Sequence, residues 1–211
     1  SLENLHKVDT ILLDKTGTIT EGKPQVTDII TDLDENEFIK IASSIENNSE
    51  HPLSHAISEY AKAKNIQAKN IEDFEAISGK GIKAKYENKI YYGGNISLMK
   101  EKNIDLKSYE KKADIFSNEG KTSMYFADEK NVIGIIAVQD KPKNLSKIAI
   151  DEMKKMGYEV RMITGDNEKT AEAIKNALNI DEKYAEVLPQ DKEKEIKNLQ
   201  INIKRKFQED L

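Results

Sequence analysis

Val8-Asp9-Thr10-Ile11-Leu12-Leu13 is a largely apolar run that ends on a carboxylate, Asp14, and is followed at once by the turn Lys15-Thr16-Gly17-Thr18. No other stretch constrains the fold as much. A buried strand here delivers an acid to its C-terminal end, where open α/β sheets place their chemistry. A carboxylate so held can attack phosphorus and become an aspartyl phosphate. The amides and hydroxyls of the turn can then cradle the transferred group as an anion nest. Asp and Gly also suit ordinary turns, so an isolated Asp-x-Thr-Gly would not separate the two readings; the whole string through Ile19-Thr20 must carry the weight.

Around this motif the chain reads as one domain inserted into another. Residues 35–47 and 53–64 have helical period, with Leu53, Ile57, Tyr60 and Ala61 on one face. Pro52 suits the first turn of the second helix, where its missing N–H is no loss. Strand-like runs follow at 74–78, 81–86 and 89–92, the last two joined by a tight turn at Glu87-Asn88. Short helices near 95–102 and 108–118 precede strands at 122–128 and 131–138. The alternation then changes to helix 144–156, strand 159–163, helix 168–178, a short strand near 184–187 and a helix from about 190, the sign of a parallel sheet. Strand 8–14 should join that sheet. Residues 1–25 and 138–211 are therefore expected to form one discontinuous α/β domain, with an α+β domain at 26–137 inserted in it.

Composition narrows the function. A net charge of −5 over 211 residues argues against nucleic acid as the partner. With no cysteine, neither a disulfide nor a Cys-based metal site can form. The longest strongly apolar stretch, 133–138, is far short of the ~18 residues of a membrane span. No signal peptide is visible, and a start at Ser1 suggests an excerpt of a longer protein.

Further motifs carry chemistry. Ile163-Thr164-Gly165-Asp166-Asn167 lies at a strand end and opens a helix, so its Thr hydroxyl and free amides suit a phosphate. The alternative is a plain loop with a capping Asp or Asn. In Leu188-Pro189-Gln190-Asp191-Lys192 the ammonium could offset charge on a transferred group. In Ser49-Glu50-His51-Pro52-Leu53 His51 could stack on a purine and Glu50 accept from an exocyclic amine; a helix start beside a positive dipole end is the plainer reading. His51 and His55, four apart, lack a third metal ligand nearby. Ser78-Gly79-Lys80-Gly81-Ile82 and Gly93-Gly94-Asn95 would let backbone approach a ligand closely. Gly120-Lys121-Thr122 imitates the end of a P-loop, but no Gly stands five positions earlier and a strand follows.

Together these motifs resemble the large cytoplasmic loop of a heavy-metal-transporting (type IB) P-type ATPase, a member of the haloacid-dehalogenase superfamily. The resemblance covers about residues 6–200. Asp14-Lys15-Thr16-Gly17-Thr18 is similar to the phosphorylation signature of all such pumps, and Ser49-Glu50-His51-Pro52-Leu53 with the two Gly motifs to the heavy-metal branch. Phrases such as 18–24 and 185–189 look most like the copper pumps. The resemblance implies an α/β, haloacid-dehalogenase-like Rossmannoid phosphorylation domain with an inserted nucleotide-binding domain. It implies ATP and Mg²⁺ as cofactors, Asp14 as the phosphorylated nucleophile and metal ligand, and the Thr16 carbonyl as a second Mg²⁺ ligand. Thr164, Gly165, Asp166 and Lys192 would surround the phosphoryl group. Glu50, His51, Gly79, Gly81, Ile82, Gly94 and Asn95 would line the adenosine pocket. Asp140 and Lys143 resemble a hinge motif. The partners would be ATP and the membrane and actuator domains of the same pump, which makes the chain a cytoplasmic part of an integral membrane protein, with no nucleic acid.

Related phosphatases carry an Asp two residues after the nucleophile as general acid and base. Here that position is Thr16, which suits a longer-lived aspartyl phosphate and argues against a stand-alone phosphatase. A catalytically dead nucleotide-binding or interaction module is the other alternative. The family pattern continues into a strand ending Gly-Asp-Gly-x-Asn-Asp, which this sequence lacks. The phosphorylation domain is therefore expected to be C-terminally incomplete, to bind nucleotide weakly and to phosphorylate itself poorly. The edge of strand 8–14 is expected to be open to dimerisation, or covered by a tail helix bearing Ile196, Leu199, Ile203 and Phe207.

Overall fold

The structure is a computed structural model that describes residues 8–188, 191–194 and 196–198. The chain begins with β1 (Thr10–Asp14), β2 (Gln25–Thr31), α1 (Glu35–Glu46) and α2 (Pro52–Ala63). It continues through β3 (Glu72–Ile77), β4 (Gly81–Tyr86), β5 (Lys89–Gly94), α3 (Ile96–Glu101) and α4 (Tyr109–Asn118). Then come β6 (Thr122–Ala127), β7 (Val132–Gln139), α5 (Ser146–Lys155), β8 (Glu159–Ile163), α6 (Glu168–Leu178) and β9 (Glu182–Tyr184). The fold is α/β. One sheet is parallel, in the order β1-β8-β9, and the other is antiparallel, in the order β2-β7-β6-β5-β4-β3.

The antiparallel sheet is covered on both faces. Side chains alternate across a strand, and β6 divides accordingly: Met124 and Phe126 join the core under α1 and α2, Tyr125 and Ala127 the core under α3 and α4. Strand β7 divides the same way, Ile136 and Val138 against Ile135 and Ala137. This explains why the sequence reads there as an unbroken apolar run. Helix α1 buries Phe38, Ile41, Ala42 and Ile45, one helical face, and Asp34 caps it by accepting from Glu37 N at 3.1 Å. Between β4 and β5, Glu87 and Asn88 both take positive φ, 47° and 65°, as a two-residue hairpin turn of the favoured hand requires.

The parallel sheet has its own core: Ile19, Ile150, Val160, Met162, Ala171 and Ile174, under α5 and α6. Two antiparallel chain crossings tie the sheets together. Glu21 N donates to Lys141 O and Lys143 N to Ile19 O, both at 3.0 Å. Asp140 accepts from Thr20 Oγ1 at 2.5 Å and from Lys23 N at 3.2 Å.

Two elements differ from the sequence expectation. Strand β2 went unread because its pairing with β7 shifts register between Val26 and Asp28, which breaks the period-2 pattern. The short strand expected near 184–187 lies instead at Glu182–Tyr184. Its continuation leaves the ladder: Glu186 has φ 57°, and Glu186 N and Val187 N donate to Asp166 O and Thr164 O. Strand β1 pairs only with β8 among the described residues. The proposed tail contacts of Leu199, Ile203 and Phe207 lie outside those residues.

Phe38 is fully buried and meets Phe126 edge-to-face at 5.7 Å between centroids. Phe38→Ala is expected to lower stability by about 3–5 kcal/mol in denaturant unfolding.

Candidate active site

Strand β1 ends at Asp14, and the chain turns sharply through Thr16 (φ −73°, ψ 121°) and Gly17 (φ 77°, ψ −16°). Gly17 takes the left-handed conformation that glycine adopts without strain, and its N–H donates to Thr20 Oγ1 at 3.2 Å. Lys143 Nζ donates to Gly17 O at 2.8 Å. These bonds hold the turn open around Asp14, whose side chain is 42% exposed. Lys192 Nζ lies 2.9 Å from each Asp14 carboxylate oxygen. Such a cation between the two oxygens stands where charge would be neutralised when a phosphoryl group arrives.

The parallel register pairs Asp14 with Ile163, so the loop after β8 opens beside the acid. Thr164 is buried, and its Oγ1 donates to Asp166 Oδ2 at 3.0 Å and accepts from Asp166 N at 3.1 Å. Gly165 follows, where a Cβ would stand 3.5 Å from Val187 O. Asp166 Oδ2 also lies 2.5 Å from Lys15 Nζ, both side chains being largely buried, and Asp166 Oδ1 accepts from Thr122 Oγ1 at 3.1 Å. Asp14, Thr16, Thr164, Gly165, Asp166 and Lys192 thus gather at one end of the parallel sheet. Lys15 was not singled out in the sequence. Its place inside the motif was the only available signal, because burial beside Asp166 depends on the β1–β8 pairing.

The two glycine motifs also come together, on neighbouring strands. Gly81 pairs with Gly94 and Ile82 with Gly93. The backbones touch: a Cβ on Gly81 would stand 2.1 Å from Gly93 O, and one on Gly94 2.2 Å from Lys80 O. Asn95 pins the arrangement, its Nδ2 donating to Gly79 O at 2.9 Å while its Oδ1 caps α3 through Leu98 N. Leu188, from the segment before Lys192, lies against Gly79.

His51 caps α2, its Nδ1 accepting from Leu53 N at 3.2 Å. Desolvation by the surrounding protein holds the imidazole pKa below its usual value, so the ring stays neutral and its Nδ1 stays an acceptor. Glu50 is exposed. The carboxyl group beside the glycines is instead that of Glu46, whose Oε1 would lie 2.7 Å from a Cβ on Gly93. Glu46 is buried and accepts from Ser54 Oγ at 2.6 Å. Burial pushes its pKa up to about 7. A Glu on the apolar side of a predicted helix, five residues before His51, was the sequence signal for it.

No group of three or more His, Asp or Glu side chains converges among the described residues. Mg²⁺ rarely needs one, since it keeps several waters and takes one or two carboxylates plus phosphate oxygens. The exposed Asp14 carboxylate and the extended Thr16 backbone offer hard oxygen donors of that kind.

A family model of haloacid dehalogenase-like hydrolases matches residues 8–206. The chain is 44% identical over 203 residues to a copper-exporting P-type ATPase of Staphylococcus saprophyticus, covering 96% of this chain and 25% of that protein. A copper-exporting P-type ATPase of Staphylococcus aureus (strain MW2) is 41% identical over 200 residues, covering 94% and 25%. The chain spans about a quarter of the length of these curated relatives. Among solved structures, the catalytic domain of the CPx-ATPase CopB-B, studied upon nucleotide binding, aligns with a TM-score of 0.70 at 28% identity, over 95% of this chain and 70% of that one. A zinc-transporting PIB-type ATPase in its E2.Pi state aligns with a TM-score of 0.64 at 30% identity, over 95% and 33%.

The raised Glu46 pKa has a consequence for stability. Between pH 4.5 and about 7 the unfolded chain ionises Glu46 while the folded chain keeps it protonated, so stability falls as pH rises through that window. Glu46→Gln should remove this slope. The variant should gain relative to wild type by up to about 3 kcal/mol between acidic and neutral pH, read by guanidinium unfolding at both.

Proposed function

The chain belongs to the haloacid dehalogenase-like hydrolases, and on that premise we propose that it is the ATP-binding and aspartyl-phosphorylation region of a heavy-metal cation-transporting P-type ATPase, with copper as the cargo. The observation that carries the reading is the half-exposed Asp14 at the end of β1, with Lys192 Nζ 2.9 Å from both its oxygens and Thr164 on the next strand end. The copper assignment is supported by the activity of these relatives alone.

In this reading residues 1–25 and 138–211 form the phosphorylation domain and 26–137 the nucleotide-binding domain. The adenosine moiety lies over Ile82 and the Gly81–Gly94 contact, between His51, Glu46 and Asn95. Glycine at 81 and 94 lets the two strands touch beneath that moiety, since any side chain would collide with backbone. An Asp14 oxygen then attacks the γ-phosphorus in line. The new bond is Asp14 O–P, the broken one joins the γ-phosphorus to its bridging oxygen, and ADP leaves with that electron pair. Lys192 shifts from the carboxylate to the transferred oxygens, which also accept from the Gly165 amide and from Thr164 Oγ1 once its proton turns from Asp166. Asp14 and the Thr16 carbonyl would hold Mg²⁺, which supplies charge neutralisation when bound. With Thr16 in place of an acid, no side chain two residues on activates water against the phosphoaspartate. The partners are ATP and the membrane and actuator domains of the same pump, which places the region on the cytoplasmic side of a membrane. No helix of the described residues is long and apolar enough to cross one.

The test is calorimetric titration with a non-hydrolysable ATP analogue. Wild type is expected to bind, His51→Ala to bind roughly tenfold or more weakly through loss of base stacking, and Asp14→Asn to retain binding. No binding to folded wild type would sink the nucleotide assignment. Rapid turnover of p-nitrophenyl phosphate would point instead to a phosphatase; none is expected.

A further inference from the structure

Gly120-Lys121-Thr122 ends like a phosphate-binding loop, but its lysine is committed elsewhere: Lys121 Nζ lies 2.8 Å from Asp28 Oδ2 and 2.6 Å from Glu119 Oε2. What the tripeptide grips is α6. Gly120 (φ 75°) lies against it, and a Cβ there would stand 3.5 Å from Ile174 Cγ1. Lys121 O accepts from Thr170 Oγ1 at 2.9 Å, and Thr170 is fully buried. Thr122 Oγ1 donates to Asp166 Oδ1 at 3.1 Å. Three consecutive residues that lead into β6 of the antiparallel sheet therefore hold α6 and the Asp166 loop just before it.

The two oxygens of Asp166 are divided between the two halves of the molecule. Oδ2 belongs to the parallel sheet, through Lys15 Nζ at 2.5 Å and Thr164 Oγ1 at 3.0 Å. Oδ1 belongs to the antiparallel sheet, through Thr122. A carboxylate held at one oxygen can still swing about that anchor through χ1 and its terminal torsion together, the wells of the terminal torsion being broad. Held at both, it is fixed in one plane, and the ammonium and hydroxyl on its far side are fixed with it.

We infer that Thr122 is a positioning residue for the phosphoryl site. Its hydroxyl clamps the Asp166 carboxylate, and through it Lys15 and Thr164, only while the antiparallel unit sits docked on α6. A rotation of the nucleotide-binding unit away from α6 frees Oδ1 and loosens the contacts around Asp14. The functional meaning rests on the reading of Asp14 as phosphoryl acceptor; the clamp itself does not.

The test reads Asp166 in the 211-residue chain without nucleotide, by side-chain scalar couplings, together with residual dipolar couplings of both sheets. Wild type should show one Asp166 χ1 rotamer and one alignment tensor for the two sheets. Thr122→Val, close in shape but without the donor, should average the rotamer while amides of β1 and β8 keep their shifts. Thr122→Ser should restore the single rotamer. Unchanged Asp166 couplings in Thr122→Val, or an averaged rotamer in Thr122→Ser, overturns the inference. Two separate tensors in wild type overturn it as well, a measurement that stands even if Thr122→Val does not fold. None of these readouts involves phosphate, so a failure of the Asp14 assignment would show separately, in the nucleotide titration.

Discussion

Parallel pairing of β1 with β8, in the register that sets Asp14 opposite Ile163, is the constraint on which the site depends. Each strand is only five residues long; β1 carries its acid on its last paired residue and β8 carries Thr164 immediately after its own. A slip of one residue would turn every β1 side chain to the other face. It would carry Asp14 away from Lys192 and leave Lys15 buried without a counterion. Leu13 of β1 packs against the core of Ile19, Val160, Met162 and Ile174, and a slip would turn it away from that core, which opposes the slip.

The charges around the acid are of two kinds. Lys15 and Asp166 are largely buried at 2.5 Å, where removing either partner strands the other in a poorly solvated place. That pair is part of the frame. Lys192 and Asp14 are more exposed, so their attraction is screened by water and the ammonium can follow charge from the carboxylate to an arriving group. In the proposed reaction, a rigid inner pair beside an adaptable outer one is what an acceptor whose charge changes would need. The buried acid of the second site, Glu46, works differently: burial raises its pKa to about 7, so below neutrality it presents a donor as well as an acceptor beside the glycines.

The antiparallel unit does more than supply a second pocket. The segments that connect it to the parallel sheet meet at Glu21–Lys141 and Lys143–Ile19, next to the Asp14 turn, and Lys143 of the outgoing segment braces Gly17 directly. The same unit returns to α6 at residues 120–122. The Thr164 loop is therefore touched by the inserted unit itself, and the Asp14 turn by the segment that leads out of that unit.

Much of this was legible along the chain because it is local. The β1 run with Asp14 at its end, the Glu87-Asn88 turn, the helical face of α2 and the cap of α6 all depend on residues within a few positions of one another. The sequence by itself determined the α/β class, the inserted order of the two sheets and the acid at the strand end, since periodicity and turn chemistry are short-range properties. Tertiary structure alone decided which carboxylate stands beside the glycines. Glu46 and Glu50 are four residues apart, but only Glu46 falls on the buried side of α1 against Gly93. It also decided that β2 joins the sheet through a bulge, that Lys15 neutralises Asp166, and that Gly120-Lys121-Thr122 grips a helix rather than a phosphate. Each of these pairs groups far apart in the chain, and only a folded core holds such groups at hydrogen-bonding distance.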